Sequence, residues 1–343
     1  MQLSRALRIL RHMERFDGEV VVVTGASSGI GRAVARAFGA AGARVALVAR
    51  NPEALGNAAG EIARAGGEAS VFPIDVADAG AVEGVARSVV ERWGCIDVWV
   101  NNAMVTVLSP AMEMTPHEYR RVTEVTYLGT VYGTLAAIRR MRPRNRGLVL
   151  QIGSALAYRS IPLQSAYCGS KAAIRGFTDS LRSELLHDRS AVRICMLQLP
   201  AVNTPQFVVA RTRLPRQPMP VPPVFQPEVI ARAVLYVARH PTRELWIAGS
   251  TWKAILSAKV AGPIGDRVLA REGYSGQQTD EPIDPDRPDN LDHYVPGDRG
   301  AHGPFDDLAR GRSLELWARM HRGALAALAA LGLGATSLAW RAR

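Results

Sequence analysis

A valine-rich run from Glu19 to Thr24 passes directly into Gly25-Ala26-Ser27-Ser28-Gly29-Ile30-Gly31, and then into a stretch of helical composition, Arg32 to Ala41. Strand, glycine-rich turn and helix in that order make a phosphate cradle. The glycines let the backbone come close, and the unpaired N–H groups of the helix N-terminus face the anion. The same alternation continues down the chain. Strands are expected at 44–49, 69–74, 97–100, 147–152, 192–199 and 244–248, and helices at 52–65, 78–92, 116–141, 166–187 and 227–240. Strands and helices alternating at this spacing imply βαβ units: an α/β, doubly wound, Rossmann-type parallel sheet flanked by helices. In such a sheet every strand ends on one rim, so the polar tails Asp75-Val76 and Asn101-Asn102-Ala103 converge there.

Arg50 stands just past the second strand, where a dinucleotide fold meets the adenosine ribose. An acidic residue there suits the free hydroxyls of NAD, and an arginine suits the extra phosphate of NADP. The position therefore favours NADP(H) over NAD(H), although a surface charge is the plain alternative.

Farther on, Gly153-Ser154-Ala155-Leu156-Ala157-Tyr158 precedes Ser165-Ala166-Tyr167-Cys168-Gly169-Ser170-Lys171. On a helix, Tyr167 and Lys171 share a face one turn apart. An ammonium beside a phenol favours the phenolate, which makes Tyr167 a candidate acid/base and leaves Ser154 to hold a substrate oxygen.

These motifs in this order resemble the classical short-chain dehydrogenase/reductase family over about residues 17–250. The resemblance implies one Rossmann-type domain with cofactor and substrate on the same sheet edge. It places Gly25, Ser27, Ser28, Gly29, Ile30 and Gly31 around the cofactor phosphates and nearby ribose, Asp75 and Val76 beside the adenine, and Asn102 by the cofactor cleft. It makes Tyr167 the proton donor or acceptor, Ser154 the group orienting the substrate oxygen, and Lys171 the residue that holds the nicotinamide ribose and depresses the tyrosine pKa. The segment Pro200-Ala201-Val202-Asn203-Thr204 would close over the nicotinamide. Three positions depart from the family pattern: Thr126 in place of asparagine in the lysine's water relay, Met104 in place of glycine, and Ala201 in place of glycine.

The implied activity is an NADP(H)-dependent oxidoreductase that interconverts an apolar secondary alcohol and ketone, with no metal. The alternative is a protein of the same fold that binds NADP as a regulator or scaffold with little catalysis. Family relatives lead to the expectation of a homo-oligomer. The presumed lid, about 206–226, carries Phe207, Val208, Val209, Leu214, Met219, Val221, Val224 and Phe225. Its Arg211, Arg213 and Arg216 either steer an anionic group or are merely solvated.

The net charge of +11 admits nucleic acid, an anionic membrane surface or a phosphate-rich small molecule as partner. No zinc-finger spacing or aromatic RNP-like run supports nucleic acid. Three scattered cysteines, Cys95, Cys168 and Cys195, fit neither a disulfide frame nor a zinc site and point to a reducing, cytoplasmic setting.

Outside the core, residues 1–16 pattern as a basic amphipathic helix that packs on its own domain or lies on a membrane. Residues 261–312, rich in Pro, Gly and Asp, read as a strap or a tail. Residues 313–343 read as a C-terminal helix whose uncharged part, Gly323 to Trp340, meets the bare length for a span. That part equally allows surface anchoring or soluble packing.

Overall fold

The computed structural model describes residues 15–284 and 286–323. Its centre is a seven-stranded, all-parallel sheet built from β1 (Val20–Thr24), β2 (Arg44–Ala49), β3 (Glu68–Pro73), β4 (Val98–Asn101), β5 (Leu148–Ile152), β6 (Arg193–Gln198) and β7 (Glu244–Trp246). The spatial order is β7-β6-β5-β4-β1-β2-β3. Chain order reverses at β1/β4, and a crevice for a ligand opens at such a switch point.

β1 is buried along its whole length, as a central parallel strand covered on both faces must be. Val21 and Val23 join one hydrophobic cluster with Val34 and Phe38, whereas Val20 and Val22 join the opposite cluster with Val85 and Ala137. The period-two alternation thus feeds two cores at once.

The helices α1 (Gly29–Ala40), α2 (Pro52–Arg64), α3 (Ala79–Trp93), α4 (Pro116–Val122), α5 (Gly129–Met141), α6 (Ser165–His187) and α7 (Pro227–Arg239) cover the sheet. Local chemistry starts several of them. The Asn51 side chain accepts from Ala54 N with Pro52 following, Asp78 accepts from Ala81 N, and Thr115 and Glu118 form a reciprocal capping box. The continuous helix expected at 116–141 is interrupted by a π-helical turn, Thr123–Leu128. Within it the Thr126 hydroxyl donates to Val105 O, and Thr130 Oγ1 donates to Thr126 O. Such insertions favour functional sites.

The chain beyond β7 forms α8 (Gly249–Val260) and α9 (Gly262–Glu272), so the first part of the expected strap is helical. A short strand, Gln278–Pro282, then pairs antiparallel with Arg216–Pro218. Residues 286–310 have little regular structure but run along the C-terminal rim of the sheet. Leu291 is fully buried there, Ala301 and Phe305 are nearly so, and Ala309–Arg310 adds to Val224–Phe225. Helix α10 (Leu314–Met320) follows, capped by Ser313.

At the other end, Arg15 and Phe16 are not helical. Phe16 is buried edge-on against Phe38, at 4.9 Å between centroids. The rest of the expected N-terminal helix and the uncharged C-terminal stretch past Gly323 lie outside the described residues. Among the described residues no helix is long and apolar enough to cross a membrane.

Candidate active site

The glycine turn joins β1 to α1 as the sequence requires. Gly25 has φ +68°, and a Cβ there would meet Asn102 and Ala103. A Cβ on Gly31 would run into the Gly25 carbonyl. Asn102 fastens the turn to β4, because its Nδ2 donates to Thr24 O at 3.0 Å and its backbone N donates to Thr24 Oγ1 at 3.0 Å. The cradle left by these small residues opens into a cleft of about 190 Å³. Ser27, Ser28, Gly29, Ile30, Arg50, Asp75, Val76, Asn102 and Thr204 all line it.

A second cavity, about 370 Å³, is lined by Ser154, Tyr167, Lys171, Pro200, Val202 and Thr204. It shares Ile30, Asn102, Met104, Thr204 and Gln206 with the first, so the two meet beneath the 200–206 segment. Its other walls are largely apolar, among them Leu108, Leu156, Phe207, Met219 and Val221. Met104 lies at the junction, where its side chain adds bulk to both cavities.

Ser154 follows β5 in extended conformation, with its backbone N donating to Gln198 Oε1 at 2.8 Å. Gln198 in turn donates to Glu244, whose carboxylate also accepts from the Tyr158 hydroxyl at 2.8 Å. This Gln198–Glu244–Tyr158 brace on Ser154 has no signal in the sequence, because its members lie on β6, β7 and a loop. Tyr167 hydrogen-bonds to Ser154. The buried Lys171 donates its Nζ to Ile152 O at 2.6 Å and lies 5.5 Å from the Tyr167 ring centroid.

Burial lifts the Tyr167 phenol well above its ordinary value, and the Ser154 hydrogen bond offsets this only in part. Burial also lowers the Lys171 ammonium to about 8.

Thr126 is not assembled with Ser154, Tyr167 and Lys171. It is fully buried, its hydroxyl donates to Val105 O and accepts from Val105 N, and it lines neither cavity. A hydroxyl on so short a side chain satisfies the nearest backbone. Asp75 does line the cleft, but its carboxylate pairs with Arg121 and accepts from Ala77 N. Carboxylates hold Arg211 and Arg213 of the lid, whereas Arg216 is exposed and meets only the fully exposed Asp280. Arg211 pairs with Asp289 and Asp292, Arg213 with Glu118, and Arg216 with Asp280.

The family profile described as short chain dehydrogenase matches residues 19–214. The chain belongs to this family. Among its relatives, an uncharacterized oxidoreductase, YxnA, of Bacillus subtilis is 33% identical over 287 residues, covering 83% of this chain and 80% of that protein. A metagenomic short-chain oxidoreductase solved in complex with NADP is 30% identical, with a TM-score of 0.57 over 67% of this chain and 97% of that one. An alcohol dehydrogenase from the archaeon Thermococcus sibiricus, complexed with 5-hydroxy-NADP, is also 30% identical, with a TM-score of 0.59 over 67% and 95%. The chain is thus an oxidoreductase of the short-chain dehydrogenase family with a site for a nicotinamide cofactor and a small-molecule substrate. Its fit to the cofactor is visible in the glycine turn, where Gly25, Ser27, Ser28, Gly29 and Ile30 line the cleft. Two buried polar atoms without partners, Gln206 Nε2 and Asn290 Oδ1, belong to residues that line the cleft.

Proposed function

We propose that the chain is an NADP(H)-dependent enzyme that interconverts an apolar secondary alcohol and its ketone. The observation that carries this reading is the meeting of Ser154, Tyr167 and Lys171 on the wall of an apolar cavity continuous with the cofactor cleft. A bound nicotinamide cofactor supplies or accepts the hydride. Gly25, Ser27, Ser28, Gly29, Ile30 and Gly31 hold its phosphates against the start of α1, and Asn102, Pro200, Val202 and Thr204 wall the nicotinamide end. Ser154 Oγ donates to the carbonyl oxygen of the ketone. Tyr167 transfers its phenolic proton to that oxygen as the carbon is reduced, and takes it back in the oxidative direction. Lys171 keeps positive charge beside the phenol. Leu108, Leu156, Phe207 and Met219 exclude water and select an apolar substrate.

NADP(H) is favoured over NAD(H) because Arg50 and Asn51 follow β2, with no carboxylate to repel a ribose phosphate. The test is Tyr167→Phe, assayed on a panel of apolar ketones and by thermal shift with NADPH and NADH. Turnover should fall by at least about a thousandfold, within the range typical of lost proton transfer, while the NADPH-induced shift persists. An active Tyr167→Phe enzyme would overturn the assignment.

A second reading, a cofactor-binding protein with little chemistry, is favoured by the engagement of the Thr126 hydroxyl with Val105. NADPH binding without ketone reduction by the wild-type chain would select it.

A further inference from the structure

Residues 286–310 touch several of the loops that form the cofactor cleft. Arg50 donates to the carbonyls of Asn290, Leu291 and Asp292, and Asn51 Nδ2 donates to those of Val295 and Gly297. Arg32, almost wholly buried, pairs with Asp298 as well as with Glu61. The Gly29 N–H, in the glycine turn itself, donates to Gly300 O at 3.1 Å. Asn203, in the segment beside the nicotinamide end, accepts from Phe305 N at 3.1 Å.

One strap cation stands apart from this bonding. Arg299 lines the cleft, and among the described residues its side chain has no hydrogen-bond or ion-pair partner. Its backbone is nonetheless fixed on both sides. Asp298 is clamped by Arg32, Gly300 is bonded to the glycine turn, and Gly300 N donates back to Asp298 Oδ1 at 3.0 Å. Arg50, the cation expected at the ribose, already spends three N–H bonds on strap carbonyls. A guanidinium offers five donors in a fork that matches phosphate, so an unpaired one held beside a phosphate cradle is placed for an anion.

We infer that the strap is part of the cofactor site and that Arg299 is a ligand for a cofactor phosphate. The strap closes the outer side of the cleft, and Arg299 supplies positive charge that the first 250 residues have committed elsewhere. This inference rests on the nicotinamide-dinucleotide reading of the cleft. The phosphate is either the pyrophosphate common to both cofactors or the 2′-phosphate found only on NADP(H).

The test is a fluorescence titration of the full-length wild type, Arg299→Lys, Arg299→Ala and Arg299→Glu with NADPH and with NADH, at fixed ionic strength and without substrate. Loss of a charge-assisted hydrogen bond weakens binding about tenfold or more. The order expected is wild type, then Lys, then Ala, then Glu. Equal losses for both cofactors assign the pyrophosphate, and a loss confined to NADPH assigns the 2′-phosphate. Melting temperatures without cofactor should match, because Arg299 has no partner to lose. Unchanged affinities in Arg299→Ala and Arg299→Glu overturn the inference, and so does a cofactor-free melting temperature lowered by several degrees. Failure of the wild type to bind either cofactor would instead remove the underlying reading.

Discussion

Along the core rim, backbone groups are paired by the parallel ladder and by helix caps, which leaves side chains such as Ser154 and Tyr167 to project into the cavity. In residues 286–310 the arrangement is reversed. With few ladder bonds of its own, the strap offers carbonyls, and the core sends arginine and asparagine side chains to meet them, while Arg287 of the strap donates back to Val208 O. The two regions therefore depend on different chemistry: the core rim on β-branched strands and glycine geometry, the strap on individual cationic and amide side chains. The comparison also accounts for part of the arginine excess. Arg32, Arg50, Arg121, Arg211, Arg213 and Arg287 are spent inside the molecule, on carboxylates and carbonyls, rather than on an external polyanion.

The comparison is broken most severely at Arg32, the buried cation shared by α1, α2 and the strap. Arg32→Ala leaves Asp298 without its ion-pair partner and Glu61 with Arg36 alone. It should cost about 3–5 kcal/mol of stability, as for other broken buried pairs, read by urea denaturation. A loss near that of a surface pair, below about 1 kcal/mol, would show that the strap is not tied to the core through this residue.

A second prediction isolates the core rim. The pKa of Lys171 is lowered from 10.5 to about 8 by burial, so the folded state binds fewer protons than the unfolded state between those values. Stability from this group is therefore lowest below pH 8 and rises as pH climbs from about 8 to 10.5, by roughly 3 kcal/mol in all. Wild type should gain on Lys171→Met in paired urea titrations at pH 7.5 and 9.5. Tyr167 works in the opposite direction only above the ordinary tyrosine value, near ~10. A constant difference between the two proteins would mean that Lys171 is not held in a low-polarity site.

Gly31→Ala tests the cradle. The new methyl group meets the Gly25 carbonyl, and backbone cannot yield as a side-chain tip can. Destabilisation of about 1–3 kcal/mol is expected from overpacking, with the NADPH-induced thermal shift lost. Retention of that shift would place the phosphates elsewhere than the glycine turn.

Much of the core was legible because its signals are local or periodic. Valine runs, capping residues at Asn51, Asp78 and Thr115, and the Gly25–Gly31 turn each determine structure within a few residues of themselves. Their strands and helices lie within a few positions of where the pattern places them. Ser154, Tyr167 and Lys171 were legible for a related reason, since two share a helix face and the third ends a strand. The strap was not. Leu291 is fully buried, yet it lies in a stretch of Asp, Pro and Asn whose composition reads as solvent-facing. Its anchors come from residues about 240 positions away, as in the bond from Arg50 to Leu291. The partner of the Thr126 hydroxyl was not legible either. The family position suggested a relay, but the hydroxyl was taken by the neighbouring Val105 backbone within the π-helical turn.

The smallest expected effect sharpens the comparison most, because one side chain serves both regions. Asn51 Oδ1 caps α2 by accepting from Ala54 N, and its Nδ2 donates to the strap at Val295 O and Gly297 O. Asn51→Asp keeps the cap and turns the strap donor into an acceptor that faces two carbonyls. Asn51→Ala removes both functions. Asn51→Asp should cost about 1 kcal/mol, the scale of a lost hydrogen bond, with faster amide exchange in residues 290–300 and unchanged exchange in α2. Asn51→Ala should add the cap loss, about another 1 kcal/mol, and speed exchange at the α2 N-terminus as well. If Asn51→Asp speeds exchange equally in α2 and in the strap, the two regions open as one cooperative unit. The strap would then belong to the core's own stability and would not be a separately held wall of the cofactor cleft.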